Sequence, residues 1–553
     1  MESRRLLAVD VGLDGNNNLL IDDVTSSANS LTITTDVANS RYEIGDSNNL
    51  ISVAPEITGA TGSGTNLVFI PFSSIAGNQI VVSPGDGDDS ITIDSGFAPG
   101  NTFTVSVDGG AGVDTVAWSS AQAIDTLSLT SESISIQSDV TTSGNQLWNG
   151  SVSTTGDVVL SGADISFPGT IDTGVDDFTA SASVAITIDS AVTSSDGNLT
   201  LASTGNLDVS SGGSLTSANG NVSMQAGSLS MASGSSLSTG GSMIMDVDQS
   251  SVVSATIGGT GSLTKLGSGA LTLDGTNTYS GATTVSSGTL NVSSSGALGS
   301  TASGTNVSGL GFVNVAAGIA TAEAFAISSG RSVNLSTGAA IDGAVSLAGS
   351  ISGGVGSAVN GDVTLTGANA QLTMLSSPGT MTVNGAITDG GQGYGLTLLT
   401  TSSTANIELS STANVYGGPT RLDGTGNVVL GNAGVIPDVS RVDFLTNAAT
   451  LNLNGNDETV GSLAGVGNVA LGTSTITIGS DDSSTTFSGV ISGSGGVIKT
   501  GNGTLRLDGA NTFTGVTQVI GGKLGGSGTV AGALVVGAGG GLAPGNSPGV
   551  LNS

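Results

Sequence analysis

Between residues 197 and 241, apolar and small polar side chains alternate in short runs, each closed by a glycine-containing turn. GNLTLASTGNLDVSSGGSLTSA is followed there by GNVSMQAGSLSMASGSSLSTGG. Leu199, Leu207 and Leu215 of the first round correspond to Val222, Leu229 and Leu237 of the second, at offsets of 23, 22 and 22. Alternation at period two predicts strands with one buried face. Three strands in a round of about 22 residues predict one coil of a stacked solenoid, with Leu, Val and Met inward and Ser, Thr and Asn outward. Stacking would give each strand amide a partner in the next coil. Helix signals are scarce, because no apolar stripe of period 3.6 persists and Gly or Ser recurs every few residues.

A longer repetition governs the C-terminal half. Residues 259–290 and 493–524 align without a gap at an offset of 234, and 16 of 32 positions are identical. A weaker copy lies at 413–430, where Asn414, Tyr416, Gly418 and Thr420 align with Asn277, Tyr279, Gly281 and Thr283. Repetition of this kind marks a chain built by stacking one supersecondary unit. Three zones result: a β-rich segment over 1–125, a solenoid over 126–255, and the long-repeat region over 256–553, with breaks expected near 125 and 255.

Composition narrows what such a stack can do. Apolar residues make up 37% of the 553, too many for a charged disordered chain, yet aromatics are only 3% and Gly numbers 90. Thin stacked strands with small cores fit that balance. Cys and His are absent, which removes a disulfide framework, the commonest general base and the commonest metal ligand. Net charge is −32, and residues 42–264 hold 22 Asp or Glu and no Lys or Arg. Nucleic acid and anionic membranes are therefore poor partners and cations such as calcium are candidates, the plain alternative being a solvated acidic surface that prevents association. No run of about 20 apolar residues predicts a membrane-spanning helix. Arg4 and Arg5 precede only Leu6, Leu7, Ala8 and Val9, too few for a secretory apolar region.

Two turns in the first zone carry metal-ligating chemistry. GGAGVDTVA at 109–117 fits the calcium nonapeptide G-G-x-G-x-D-x-U-x at every fixed position, and GDGDDSITI at 85–93 is a second copy. Asp114 and Asp89 are the candidate metal ligands, together with turn carbonyls. Such sites bind ions between turns of tandem repeats, whereas these copies lie 25 residues apart with another strand segment between. The plain alternative is a pair of Gly/Asp turns joining strands.

Catalytic patterns lack their partners. Gly545-Asn546-Ser547-Pro548-Gly549 matches a nucleophile elbow, but no His can serve it. Ser262 and Lys265 match S-x-x-K, yet the repeat partner of Ser262 is Gly496, so the Lys belongs to the repeat. Asp86/Asp88/Asp89, Asp176/Asp177 and Asp481/Asp482 are near-adjacent acids of the type glycoside hydrolysis uses. Sugar clefts also carry aromatics and Arg, and the chain has two Trp (Trp118 and Trp148), four Tyr and seven Arg. The sequence thus reads as non-enzymatic. Within the repeat, Asn277 and Asn511 suit turns whose amides bond stacked backbone. Gly281 and Gly515 suit positive φ or close approach. Tyr279, Phe513 and Tyr416 are expected to cover a coil edge, and Lys265 and Lys499 to pair with acidic neighbours at the surface.

The long repeat, G-x-G-x-x-x-K-x-G-x-G-x-L-x-L-x-G-x-N-T-[YF]-x-G-x-T, together with the terminal APGNSPG, closely resembles autotransporter-associated β-strand repeats. The start, where Glu2, Arg4, Leu6, Leu7 and Ala8 carry a Glu-x-Arg-x-Leu-Leu signature, resembles large exported repeat proteins of planctomycete bacteria. The resemblance implies an all-β, right-handed parallel β-helix (β-solenoid) in the passenger region of an outer-membrane autotransporter or related surface protein. An autotransporter ends in a membrane barrel, whereas this sequence stops at Ser553 just after the last motif. The expectation is a fragment, a passenger with a separate barrel partner, or a protein exported by another route. The expected function is a non-enzymatic, extracellular or cell-surface, adhesin-like passenger that contacts surface polysaccharide or other cells. Its rivals are a calcium-stabilised matrix or surface-layer protein and a β-helix enzyme acting on polysaccharide.

Overall fold

The computed structural model describes residues 7–94, 103–119 and 124–545. The elements there are strands, apart from two single-turn 3-10 helices at Val37–Asn39 and Phe72–Ser74. The chain divides into two compact units, Met1–Gly281 and Ala282–Ser553. Each is a parallel β-solenoid.

The first unit opens with antiparallel ribbons. Leu7–Leu13 pairs with Leu19–Asp23, and Arg41–Asp46 pairs with both Ser30–Asp36 and Leu67–Pro71. Parallel stacking begins on this platform: Leu19–Asp23 receives Gln79–Ser83, and Ser30–Asp36 receives Ser90–Ile93. Each later strand lies on its counterpart one coil earlier. The sequence-aligned pairs Leu199/Val222, Leu207/Leu229 and Leu215/Leu237 are direct register partners. Phe178, Leu199, Val222, Met243 and Leu263 form one column, fully buried along its length. Burying each such side chain contributes about 1.5–3 kcal/mol before chain entropy is set against it. The ladder passes 125 and 255 unbroken: Thr126–Ile136 pairs with Thr104–Asp108 and Thr115–Trp118, and Met243–Val247 pairs with Leu263–Leu266.

In the second unit, Thr283–Val292 pairs with Thr305–Val315, and shorter strands follow until Thr517–Gly526 and Leu534–Pro544. Nine of them, from Ala320–Thr321 to Val490–Ser492, form a sheet of their own on one side of the coil. Ile351, Leu372, Leu398, Leu422 and Phe444 stack as a buried column in the other ladder.

The corners explain why Asn, Asp and Gly recur. The N–H of Asp177 donates to Asp157 Oδ1 at 2.9 Å, that of Asn198 to Asp177 Oδ1 at 2.7 Å, and that of Asn221 to Asn198 Oδ1 at 2.9 Å. A strand-entry N–H that the ladder leaves over thus finds a side-chain acceptor one coil away. Gly261 sits where a Cβ would come within 1.8 Å of the Gly241 carbonyl oxygen, so only glycine lets these corners stack.

Candidate functional site

The two Gly/Asp turns of the first unit are stacked on each other. Their 25-residue separation is one full coil, because Ser90–Ile93 lies directly under Thr115–Trp118. Gly87 N–H donates to the Ala111 carbonyl at 2.8 Å. Asp89 and Asp114 are 2% and 0% exposed. Asp114 Oδ1 accepts the Asp89 N–H at 2.8 Å, and Asp89 Oδ1 accepts the Asn29 N–H at 2.6 Å. Glu132 Oε2 in turn accepts the Asp114 N–H at 3.1 Å. Asn29, Asp89, Asp114 and Glu132 therefore form a ladder in which each side chain serves backbone in a neighbouring coil.

The electrostatics of this ladder are costly. Burial pushes the Asp89 carboxyl up to about 6, and the neighbouring Asp114 charge adds to the shift. Burial raises Asp114 as well, with Glu132 and Asp88 contributing. Asp89 Oδ2 and Asp114 Oδ2 are buried without a hydrogen-bond partner. A calcium ion takes six to eight oxygens, and these two atoms are the carboxylate oxygens left over by the ladder. Turn carbonyls would have to complete the shell, and Ala111 O and Gly85 O already accept backbone N–H groups. Among the described residues no group of three or more Asp or Glu has metal-holding geometry.

The long repeat places its polar residues inside the fold. Asn277 Oδ1 accepts the Ile257 N–H at 2.9 Å, and Asn511 Oδ1 accepts the Ile491 N–H at 2.9 Å. Gly281 and Gly515 are there for close approach, since a Cβ would come within 2.4 Å of Gly261 O and 2.2 Å of Gly495 O. Two expectations are corrected. Tyr279, Phe513 and Tyr416 do not cover an edge; they are 0–1% exposed and fill the core, where so few large side chains exist. Lys265 and Lys499 are not surface ion-pair residues. They are 0% and 1% exposed, and their ammonium groups donate to turn carbonyls. Lys265 reaches Leu266 O and Gly267 O (3.1 Å to the latter), and Lys499 reaches Thr500 O and Gly501 O (3.2 Å to the latter). Burial lowers both ammonium groups, Lys265 to about 8, against the pull of Asp246 and Asp248.

The passenger-associated-transport-repeat family matches residues 263–292 and 497–525, the two segments that carry these lysines and asparagines. The chain carries passenger-associated transport repeats. Over 146 residues it is 40% identical to the adhesin BmaC autotransporter of Brucella suis biovar 1 (strain 1330). The aligned part is 25% of this chain and spans only 4% of that protein. No solved structure matches.

Beside the passenger-associated repeats lies a polar cluster that the sequence did not announce. Glu458 is 2% exposed, and its Oε2 accepts the N–H groups of Gly434 (3.1 Å) and Val435 (3.2 Å). Burial pushes Glu458 up to about 7. Tyr416 Oη meets Thr420 Oγ1 at 2.7 Å, and Thr420 meets Ser440 at 2.9 Å. Gly434 and Ile436, in the loop held by Glu458, line a cleft of about 630 Å3 with Val415, Tyr416 and Val439.

The remaining candidates are occupied by structural work. Asp176 Oδ2 accepts the Gly156 N–H, Asp481 Oδ2 accepts the Ser462 hydroxyl, and Asp482 Oδ1 accepts the Asn502 N–H. Asp86 and Asp88 are exposed turn residues. Trp118 and Trp148 are fully buried and offer no ring to a sugar. Asn546 to Gly549 of the elbow look-alike lie outside the described residues, as do Glu2, Arg4 and Leu6.

Proposed function

We propose that this chain is part of an exported, non-enzymatic adhesin passenger, displayed at the cell surface or outside the cell. The pair of passenger-associated transport repeats at 263–292 and 497–525, built into parallel coils, carries this reading. Apolar columns hold each coil on the next, and the outward Ser, Thr, Asn and Asp rows form the surface that meets surface polysaccharide or another cell. The near-adjacent acids fit the same reading, because they accept hydrogen bonds from coil corners. A membrane barrel, on the same polypeptide or a separate one, would anchor the passenger.

Attachment of beads coated with the purified chain to cultured cells tests it. Binding above that of albumin-coated beads is expected. Beads that attach no better than the control, or turnover of a glycan in a broad hydrolysis panel, would remove the adhesin reading.

A calcium-stabilised matrix protein is a second reading, favoured by the two partnerless oxygens Asp89 Oδ2 and Asp114 Oδ2. It requires millimolar calcium to raise the melting temperature, and Asp114→Asn to cancel the rise. A melt unmoved by calcium rejects it.

A further inference from the structure

Among the described residues, Phe312 is the single aromatic side chain that stands in solvent, at 38% exposure; the other Phe, Tyr and Trp are buried or half-buried. It belongs to strand Thr305–Val315, where Val313 and Val315 point inward, so parity turns Phe312 outward. Leu310, two residues before it, is 68% exposed. One coil later, the Arg331 guanidinium lies 5.3 Å from the Phe312 ring centroid. That contact holds the guanidinium in place without neutralising it.

Among the described residues no carboxylate comes within 4.0 Å of Arg331 or Arg421, whereas Arg41 has two and Arg441 and Arg506 have one each. The sequence keeps acids away from Arg331: residues 300–388 contain only Glu323, Asp342 and Asp362. Glu323 is buried, while Asp342 accepts from Asn360 and Asp362 from Ala386 at another corner of the coil. A local positive site therefore persists on a chain of net charge −32.

Arg331 borders a cleft. Arg331, Ser329, Ser332, Ser350, Asn369 and Gln371 line about 340 Å3. A second cleft of about 280 Å3 shares Ser329 and runs on past Ser346 and Thr366 of the following coils. Hydroxyl and amide groups thus repeat along it at the coil spacing of about 4.8 Å.

We propose that this cleft binds an acidic polysaccharide, with a carboxylate or sulfate on Arg331 and sugar hydroxyls on the Ser, Asn and Gln side chains. The inference deepens the adhesin reading and rests on it for its biological setting. A guanidinium presents paired donors that match a carboxylate or sulfate. A row of hydroxyls and amides suits a ligand rich in hydroxyls. A nucleic acid would need several cations along its phosphates, and here there is one. The general acidity repels polyanions, so capture must be local and must depend on Arg331.

The test is retention of the chain on immobilised polygalacturonate, dextran sulfate and neutral dextran at about 0.15 M salt. Retention on at least one acidic polymer, with none on dextran, is expected, and the polymer retained distinguishes carboxylate from sulfate. Arg331→Gln should lose about tenfold or more in affinity with its melting temperature unchanged, and Arg331→Lys should keep part of it. Equal retention of wild type and Arg331→Gln, equal retention on dextran, or no retention on either acidic polymer overturns the proposal. Bead attachment is scored separately. A chain that attaches to cells yet retains no acidic polymer loses this site and keeps the adhesin reading; a chain that retains the polymer through Arg331 but never attaches keeps the site and loses that reading.

Discussion

Asn511 bridges three successive coils: its Oδ1 accepts the Ile491 N–H at 2.9 Å and its Nδ2 donates to the Thr529 carbonyl at 3.0 Å. Asn414 does the same between Ile387 N–H (2.7 Å) and Val435 O (2.7 Å). Both side chains are buried, so deleting one strands a backbone donor and a backbone acceptor away from water. Asn511→Ala should destabilise the chain by about 1–3 kcal/mol. Urea titration measures it, and an unshifted midpoint would show that water replaces the amide.

The repeat lysine predicts an alkaline gain in stability. Lys265 has its folded value lowered to about 8 from 10.5, so between those limits the unfolded chain binds the proton and the folded chain does not. Stability from this group therefore rises as pH climbs from about 8 to 10.5. Lys499 shifts in the same direction for the same reason, burial. Lys265→Met should remove part of the rise, read as melting temperature against pH; an identical slope would sink the assignment.

Buried glutamates act in the opposite direction at lower pH. Burial raises Glu458 and Glu323 from 4.5 to about 7 each. The folded chain then holds protons that the unfolded chain releases, so their contribution is complete below about 4.5 and is lost as pH rises through about 7. Melting temperature should be higher at pH 5 than at pH 8, and Glu458→Gln should flatten that difference. A steeper dependence in the variant would contradict the geometry.

Corner glycines should separate into two classes. A Cβ at Gly261 would lie 1.8 Å from Gly241 O, so Gly261→Ala should cost about 1–3 kcal/mol or more. Gly15 has nothing within 4 Å, and Gly15→Ala should stay within about 0.5 kcal/mol of wild type. Equal melting temperatures for the two variants would mean that the coils shift to make room.

Much of this architecture is legible in the sequence because a stacked coil repeats its own contacts. Leu199 and Val222 occupy the same place in successive rounds, and in the fold they are direct neighbours. Period-two alternation fixes which side chains face inward, and the recurring Asn and Gly mark corners. What the sequence could not decide is whether a charged or bulky residue stays inside: Lys265 and Lys499 stand at inward places of the alternation, and Tyr279 and Tyr416 at corners where alternation stops. Lys265 and Lys499 read as exposed cations, and only the turn carbonyls of Leu266 and Thr500 converging on their ammonium groups take them inside. Tyr279 and Tyr416 read as edge covers, and the stack closes over them.

Asp89 and Asp114 show the same division. Their motif is plain in the sequence, but whether 25 residues make one coil or an unrelated detour depends on how the intervening strand Thr104–Asp108 packs. The structure lays it on Gln79–Ser83, which sets one aspartate above the other. Phe312 and Arg331 are 19 positions apart in the sequence and meet only because the strand of Phe312 pairs with Ser332–Leu335, which Arg331 leads into. Alternation along a strand is a local property that any stretch of sequence records. Which turns stand side by side depends on the length of each coil, and that is settled when the strands pair.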